Sequence, residues 1–361
     1  MSRSNLQRAV VNRDKVVPYL QNRLPAFQPT GSPTRLPEGN LNVVWRVPGE
    51  ERSVIVKYAP PYVAADPDVP LDPSRLVFEA RCLQALGPEG RLHDVTRSSI
   101  RPPRPLHVDA EKHVLVMEDV GDVPTLGRWL RGAGDEERAR RAPDIGRTLG
   151  RFLGRLHRRT MDDEAYKQAH TNQPVQETRY AIQYQAVADL LERGGVADAD
   201  ELGARARDLG ERLLKPGRCL TMGDLWPPSV LVLEDGLRLI DWELSHFGHP
   251  AQDVAHFAAH LWMHAHRAPS EPVAGAAKTM WRRFLSAYRE TLGSIGRGLV
   301  SRRDGSIHAG AEILVRTVGR FQDGSLYEGL SPTDEAVQEA VHAAARLIRN
   351  PDAEGGIADV R

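Results

Sequence analysis

Apolar, β-branched and aromatic residues dominate positions 41–47 (LNVVWRV) and again 53–58 (SVIVKY), with Pro48-Gly49-Glu50 between the two runs. Two β-rich runs joined by a turn signal predict a β-hairpin. Positions 59–73 are rich in proline and aspartate and predict a loop. The spacing then changes: in 74–86 (SRLVFEARCLQAL) apolar residues recur at helical intervals, and Gly87-Pro88 stops the run. Two further strands fit 105–108 and 113–117. The first 120 residues thus read as an antiparallel sheet with one inserted helix, preceded by one or two short helices within residues 1–30.

Beyond Gly121 the helical period dominates. Helices are expected over 144–158, 180–192 and 197–214. Two short apolar runs, 229–233 and 237–240, flank Glu234-Asp235-Gly236 and predict a second hairpin. Helices follow over 250–266, 276–292, 307–318 and 333–349, and the tail after Pro351 is expected to fray. The fold class is α+β, with a small antiparallel sheet lobe (1–120) and a larger, mainly helical lobe (121–361).

Length agrees, since 361 residues at roughly 150 per domain give about two units. The chain carries 48 Lys+Arg against 48 Asp+Glu. That balance supplies no global basic field for nucleic acid and no acidic field for polycations. Residues 1–24 lack the apolar core of a signal peptide, and no run approaches the roughly 18 apolar residues that span a bilayer. A cytoplasmic protein is expected, with neither nucleic acid nor membrane as partner. Cys82 and Cys219 stand alone, without CxxC spacing, and read as core thiols.

The densest chemistry lies in Met222-Gly223-Asp224-Leu225-Trp226-Pro227-Pro228-Ser229 and in Ile240-Asp241-Trp242-Glu243. The second hairpin is expected to bring Asp224 and Asp241 near each other. Two carboxylates at one hairpin mouth repel unless a proton or cation sits between them. One could deprotonate a hydroxyl while the other holds a metal, the hardware of magnesium-dependent phosphoryl transfer. The same residues also fit a turn Asp and a strand-end Asp that cap backbone groups. Lys57 closes an apolar strand in a chain with six lysines and 42 arginines. A compact ammonium suits a point contact with phosphate oxygens. Glu79, 22 residues later on the inserted helix, could pair with it; an edge lysine and a solvated glutamate are the plainer alternative.

This order of motifs resembles the protein-kinase-like small-molecule kinases, which include aminoglycoside phosphotransferases, choline kinases and methylthioribose kinases. Within the group the chain most resembles methylthioribose kinases, through Glu38-Gly39-Asn40-Leu41-Asn42, Val56-Lys57-Tyr58-Ala59-Pro60-Pro61-Tyr62-Val63, and Gly223-Asp224-Leu225 with Ser229. The resemblance implies a bilobal kinase-like fold whose first lobe binds a nucleotide and whose second holds the catalytic and acceptor residues. Gly39, Asn40 and Asn42 would cover the phosphates, Lys57 would touch them, and Glu79 would fix Lys57. The backbone of Glu118 and Val120 would meet the purine. Asp224 would be the catalytic base, Asp241 the principal Mg²⁺ ligand, and Ser229 and Glu243 further ligands.

Met222 replaces the group's usual His. The twin arginine of methylthioribose kinases is here Val315-Arg316, so Arg316 is the expected acceptor-binding residue. The reaction implied is transfer of the γ-phosphoryl of ATP or GTP to a hydroxyl of a sugar-like or nucleoside-like metabolite, or of a hydroxylated antibiotic inactivated by it. A nucleotide-binding module without turnover is the alternative from another class, and a homodimer is left open.

His246, His249, His256, His260, His264 and His266 fall within 21 residues. Without HExxH or a nearby Cys, they read as a polar helix face, with substrate contacts as the alternative. Asp253 is expected to orient the Gly-Asp loop. Trp226, Trp242 and Trp262 read as core, or as stacking platforms. Residues 172–180 are expected to line the acceptor site.

Overall fold

The computed structural model describes residues 11–36, 41–96, 100–296 and 299–353. They form two compact units. One comprises Met1–Arg97, Arg101–Val123 and Arg238–Ser245; the other comprises Ser98–Ile100, Pro124–Leu237 and His246–Arg361, each taken over its described residues.

The first unit is built on a five-stranded antiparallel sheet, in the order Thr34–Leu36, Val43–Val47, Val54–Tyr58, Val114–Glu118, Pro105–Asp109. Strand alternation decides its faces. Val43, Trp45, Val47, Val54, Val56, Val114 and Val116 form one apolar layer, closed by Val16, Tyr19 and Leu20 of the helix Val16–Arg23. Lys57 falls between Val56 and Tyr58 in the sequence, so its side chain projects from the opposite face, where Glu79 of the helix Arg75–Leu86 meets it. The segment expected as a plain loop holds a ribbon instead: Tyr62–Val63 pairs antiparallel with Asp66–Pro70. A two-stranded ribbon has free edges on both sides, so Pro67 and Pro70 remove no needed hydrogen bond.

In the second unit the long helix Asp135–Thr160 lies along Glu271–Leu292. Gly146, Gly150 and Gly154 recur every fourth residue on its contact face. A Cβ on Gly146 or Gly150 would come within 2.2 Å of the Met280 or Phe284 carbonyl, so the two backbones touch where side chains normally separate helices. The helix begins nine residues before the expected start and accommodates Pro143 in its interior. The segment expected as one helix over 180–192 divides into a π-helical turn, Tyr180–Gln185, and an α-helix, Val187–Arg193. Leu126–Gly132, Glu164–Ala169 and Gln173–Arg179 are further helices without a sequence expectation. Pro250–His266 occupies its expected span, while Arg302–Thr317 and Glu335–Arg349 start within five residues of theirs.

The fold is therefore mixed, an antiparallel sheet unit carrying an inserted helix and a larger, mainly helical unit. Cys82 and Cys219 are buried thiols outside any disulfide, and Cys82 Sγ donates to Ser245 Oγ at 3.2 Å. Among the described residues no helix is long and apolar enough to cross a membrane. The tail beyond residue 353 lies outside the described residues.

Candidate active-site residues

Each unit contains one charged constellation. In the first, Lys57 Nζ lies 2.7 Å from Glu79 Oε2, 2.7 Å from Asp241 Oδ1 and 3.4 Å from Glu243 Oε1. Burial works against the charge on Lys57, but Asp241, Glu243 and Glu79 together hold its pKa well above the ordinary lysine value. Burial pushes the Glu79 carboxyl up to about 7, against the pull of Lys57. Glu243 accepts hydrogen bonds from Asn42 Nδ2 at 2.6 Å and from Arg75 Nε at 2.8 Å. The rest of the Arg75 guanidinium donates to the carbonyls of Leu41, Pro60, Leu71 and Asp72 and to Asn42 Oδ1.

Two cations thus face three carboxylates. The surplus negative charge invites a proton onto Glu79 or a further cation. Asp241 is the carboxylate that can receive one. Its side chain is 37 % exposed, whereas those of Glu79 and Glu243 are 1 % and 5 % exposed. Asp241 also holds a left-handed backbone (φ 63°, ψ 56°), a conformation that costs a non-glycine residue about 1–3 kcal/mol and clusters at functional sites. Trp242, fully buried, and Glu243, pinned by Arg75, fix the backbone that follows.

At the end of the strand Val114–Glu118, Asp119 receives Arg46 at 2.7 Å, Ser53 Oγ at 2.5 Å and the Gly121 N–H at 3.0 Å. The Glu118–Val120 backbone is held in place by that side chain. Gly39 and Asn40 lie outside the described residues.

The second constellation surrounds Asp224. Its loop is tethered by Asp253, whose two oxygens accept the N–H groups of Met222 at 2.9 Å and Gly223 at 2.8 Å. Gly223 takes φ 82°, a turn that needs glycine. Asp253 is braced by His157 Nε2 at 3.1 Å, and His157 Nδ1 lies 2.8 Å from the Tyr288 hydroxyl. Burial opposes the charge on Asp253, yet His157 and the two N–H groups hold its pKa below the usual carboxylate range. Ser229 Oγ accepts the Trp226 N–H at 3.2 Å and lies 2.9 Å from the Trp226 carbonyl, so it closes this loop.

Asp224 itself stands 3.0 Å from His256 Nε2 and 3.5 Å from Arg179 Nη2. Burial raises the cost of its charge, but His256, Arg179 and Arg316 outweigh it and hold the carboxyl below its ordinary pKa. Asp224 belongs to the second unit and Asp241 to the first.

The histidine row is not a solvated face. His256, His260 and His264 are buried, because the helix Pro250–His266 runs through the interior of its unit. Burial pushes His260 down to about 4 and His264 down to about 3, so both are neutral near pH 7. His260 Nε2 lies 3.0 Å from Glu312 Oε1, and its ring packs edge-on to Trp226.

Arg316 Nε donates to Glu312 Oε1 at 2.7 Å, and its guanidinium lies 4.5 Å from the centre of the Trp226 ring. Its side chain is only 10 % exposed, so the pair is no surface salt bridge. Val315, at the other position of the twin, is buried in the helical core. Trp242 is core, and Trp262 stacks on His266. From the stretch 172–180, Arg179 is the residue that reaches Asp224. Arg75 and Glu312 have no place among the sequence expectations, and Arg179 enters only as one of the residues of 172–180. Glu312 leaves a trace in the sequence as the Glu of an i,i+4 Glu–Arg pair.

A sequence model of the APH phosphotransferase enzyme family matches residues 32–291. The 4-hydroxytryptamine kinase of Psilocybe cubensis is 27 % identical over 298 residues, covering 77 % of this chain and 79 % of that protein. The methylthioribose kinase of Exiguobacterium sibiricum is 24 % identical over 352 residues, 86 % of each chain. A solved structure of glucosamine kinase with glucosamine, ADP and inorganic phosphate superimposes with a TM-score of 0.53 at 15 % identity, covering 91 % of this chain and 85 % of that one. At that identity the superposition shows the fold alone.

Proposed function

Because the chain belongs to the APH phosphotransferase enzyme family and is a small-molecule kinase, we propose that it transfers the γ-phosphoryl group of ATP to a hydroxyl of a small polar acceptor. GTP is the other donor to test. The observation that carries the reading is Lys57, 2 % exposed and gripped at 2.7 Å by both Glu79 and Asp241. A buried ammonium held on two sides is a fixed positive point, the feature a triphosphate needs.

Lys57 contacts the phosphates and Glu79 keeps it in place. Asp241 suits Mg²⁺, since it offers a hard oxygen at the accessible end of a cluster with surplus negative charge. Magnesium, when bound, spreads the charge of the phosphate oxygens. Glu243 is the weaker metal candidate, with both oxygens engaged by Asn42 and Arg75. The backbone of Glu118 and Val120 faces the purine, and Gly39, Asn40 and Asn42 are the residues proposed to cover the phosphates, Asn42 also bracing Glu243 and Arg75. Ser229 either shapes the Asp224 loop or adds a hydroxyl to the metal. Asp224 orients the acceptor hydroxyl and takes its proton.

Arg179 and Arg316 offset the carboxylates of Asp224 and Glu312, which leaves no surplus negative charge to attract a polycation. A sugar-like or nucleoside-like metabolite, or a hydroxylated antibiotic, fits that charge, with Arg316 among its contacts. The test is consumption of γ-labelled ATP across a panel that includes methylthioribose, 4-hydroxytryptamine, glucosamine, nucleosides and aminoglycosides. A phosphorylated product with an uncharged or anionic acceptor supports the reading. Tight nucleotide binding with no turnover on any of them replaces it with a binding module.

A further inference from the structure

Arg75 has no exposed surface, and all three nitrogens of its guanidinium are engaged. It therefore cannot meet a nucleotide itself. Its Nε donates to Glu243 Oε2 at 2.8 Å, and its Nη2 donates to the Leu41 carbonyl at 2.9 Å and to Asn42 Oδ1 at 3.0 Å. Its Nη1 donates to the carbonyls of Pro60 at 3.0 Å and Asp72 at 2.9 Å. Asn42 closes the ring, since its Nδ2 donates to Glu243 Oε1 at 2.6 Å.

Each of these contacts lies a short way along the chain from a group of the proposed nucleotide site. Leu41 and Asn42 follow Gly39 and Asn40, Pro60 comes three residues after Lys57, and Glu243 comes two after Asp241. Arg75 itself stands about one helical turn before Glu79, the residue that grips Lys57. One side chain thus joins the separate segments that carry the phosphate contacts.

Stability alone does not account for a charge in this place, because a buried ion pair replaced by apolar side chains of similar volume is often neutral or more stable. A positive charge alone does not account for it either, since a lysine would neutralise Glu243 equally well. The guanidinium differs in shape. It is a rigid planar fork that reaches acceptors in several directions at once, where an ammonium is a single point on a flexible stem.

We propose that Arg75 is a positioning residue for the nucleotide: it locks Leu41, Asn42 and the Asp241–Glu243 turn onto the helix that carries Glu79, and so sets the distances among the groups that grip the phosphates. This rests on the reading of Lys57 as the phosphate contact. Because Arg75 touches neither phosphate nor acceptor, its fork acts on nucleotide affinity through those groups.

The test is calorimetric titration of metal-free ADP into the full chain, with circular dichroism and a melting curve for each variant. Arg75→Lys keeps the charge opposite Glu243 and removes the fork, and is expected to raise the Kd for ADP by about 3- to 30-fold in the folded protein. Asn42→Ala opens the same ring at its other side and weakens ADP in the same direction. The double variant is expected to bind no more than about twofold more weakly than the weaker single one, because both changes break one device. A folded Arg75→Lys protein with wild-type ADP affinity and only a lower Tm overturns the proposal. So does a double variant in which the two losses multiply, which makes Asn42 a direct contact and Arg75 an independent structural residue. Should Arg75→Lys fail to fold, hydrogen exchange decides. ADP is expected to slow exchange over residues 241–245 in the wild type and to lose that effect in Asn42→Ala; no slowing in the wild type, or equal slowing in the variant, overturns the proposal. An ADP affinity untouched by Lys57→Ala sinks the reading of Lys57 instead, and the role of Arg75 with it.

Discussion

Arg75 and Glu243 share a hydrogen bond of 2.8 Å across 168 residues of sequence, with neither side chain more than 5 % exposed. Removing one partner of such a pair strands the other charge, at a typical cost of about 3–5 kcal/mol, whereas replacing both is often nearly neutral. Arg75→Met is therefore expected to lose most of that range in urea unfolding, and Arg75→Met with Glu243→Gln to recover a large part. Equal losses for the single and double variants would remove the pair from its organising role.

Lys57 and Asp241 touch each other but should fail differently. Lys57→Ala weakens nucleotide binding with or without metal, by about tenfold or more for a lost charge-assisted contact. Asp241→Ala leaves metal-free ADP binding nearly intact and shifts the magnesium titration to higher concentration. Calorimetric titrations of ADP with and without Mg²⁺ separate the two. An unmoved magnesium curve for a folded Asp241→Ala protein would take Asp241 out of the metal site.

Asp253 gives a signed pH dependence. Its pKa is depressed in the folded chain, so its stabilisation is complete above the unfolded value of about 3.9 and is lost as pH falls through the lower folded value. Asp253→Asn should be less stable than wild type by about 2–4 kcal/mol near neutral pH, as expected for breaking a buried charged network. The gap should narrow below about pH 4. Thermal melts across pH 3 to 8 check it, and a gap that widens on acidification contradicts the assignment.

Arg316 braces Glu312 and lies over Trp226. Once an acceptor is in hand, Arg316→Ala should raise its KM several-fold more than that of the nucleotide, because cation–π and ionic contacts of this kind are worth about 1–2 kcal/mol when desolvated. Equal small changes in both KM values would make Arg316 purely structural.

Much of the fold was legible because periodicity reports burial directly. Val43, Trp45 and Val47 alternate in the sequence and are the buried members of their strand. Pro250–His266 was legible as a helix, but not its surroundings. A run of histidines at i,i+4 says which side chains share a face and is silent on what that face meets, so the row read as a polar helix face and gave no sign of its burial. The helix expected over 144–158 runs from Asp135 to Thr160 instead, with Pro143 inside it.

Lys57 and Glu79 could be singled out because each is a charge at a special place in a short pattern. Arg75 could not. One arginine among 42, at a helix start, gives no local sign that six polar groups from four chain segments will converge on it. His256 and Glu312 were hidden for the same reason, since their pairing lies between two helices far apart in the sequence.

The return of Arg238–Ser245 to the sheet unit has a bearing on how the chain is made. Asp241 and Glu243 leave the ribosome long after Lys57 and Arg75, by 184 and 168 residues respectively. At about 5–20 residues per second that is a delay on the order of ten seconds or more. Through that interval Lys57 has one of its three carboxylates and Arg75 lacks Glu243, so the nascent sheet cannot close over its own charges. A product that ends before residue 241 lacks both partners and leaves Lys57 and Arg75 without Asp241 and Glu243.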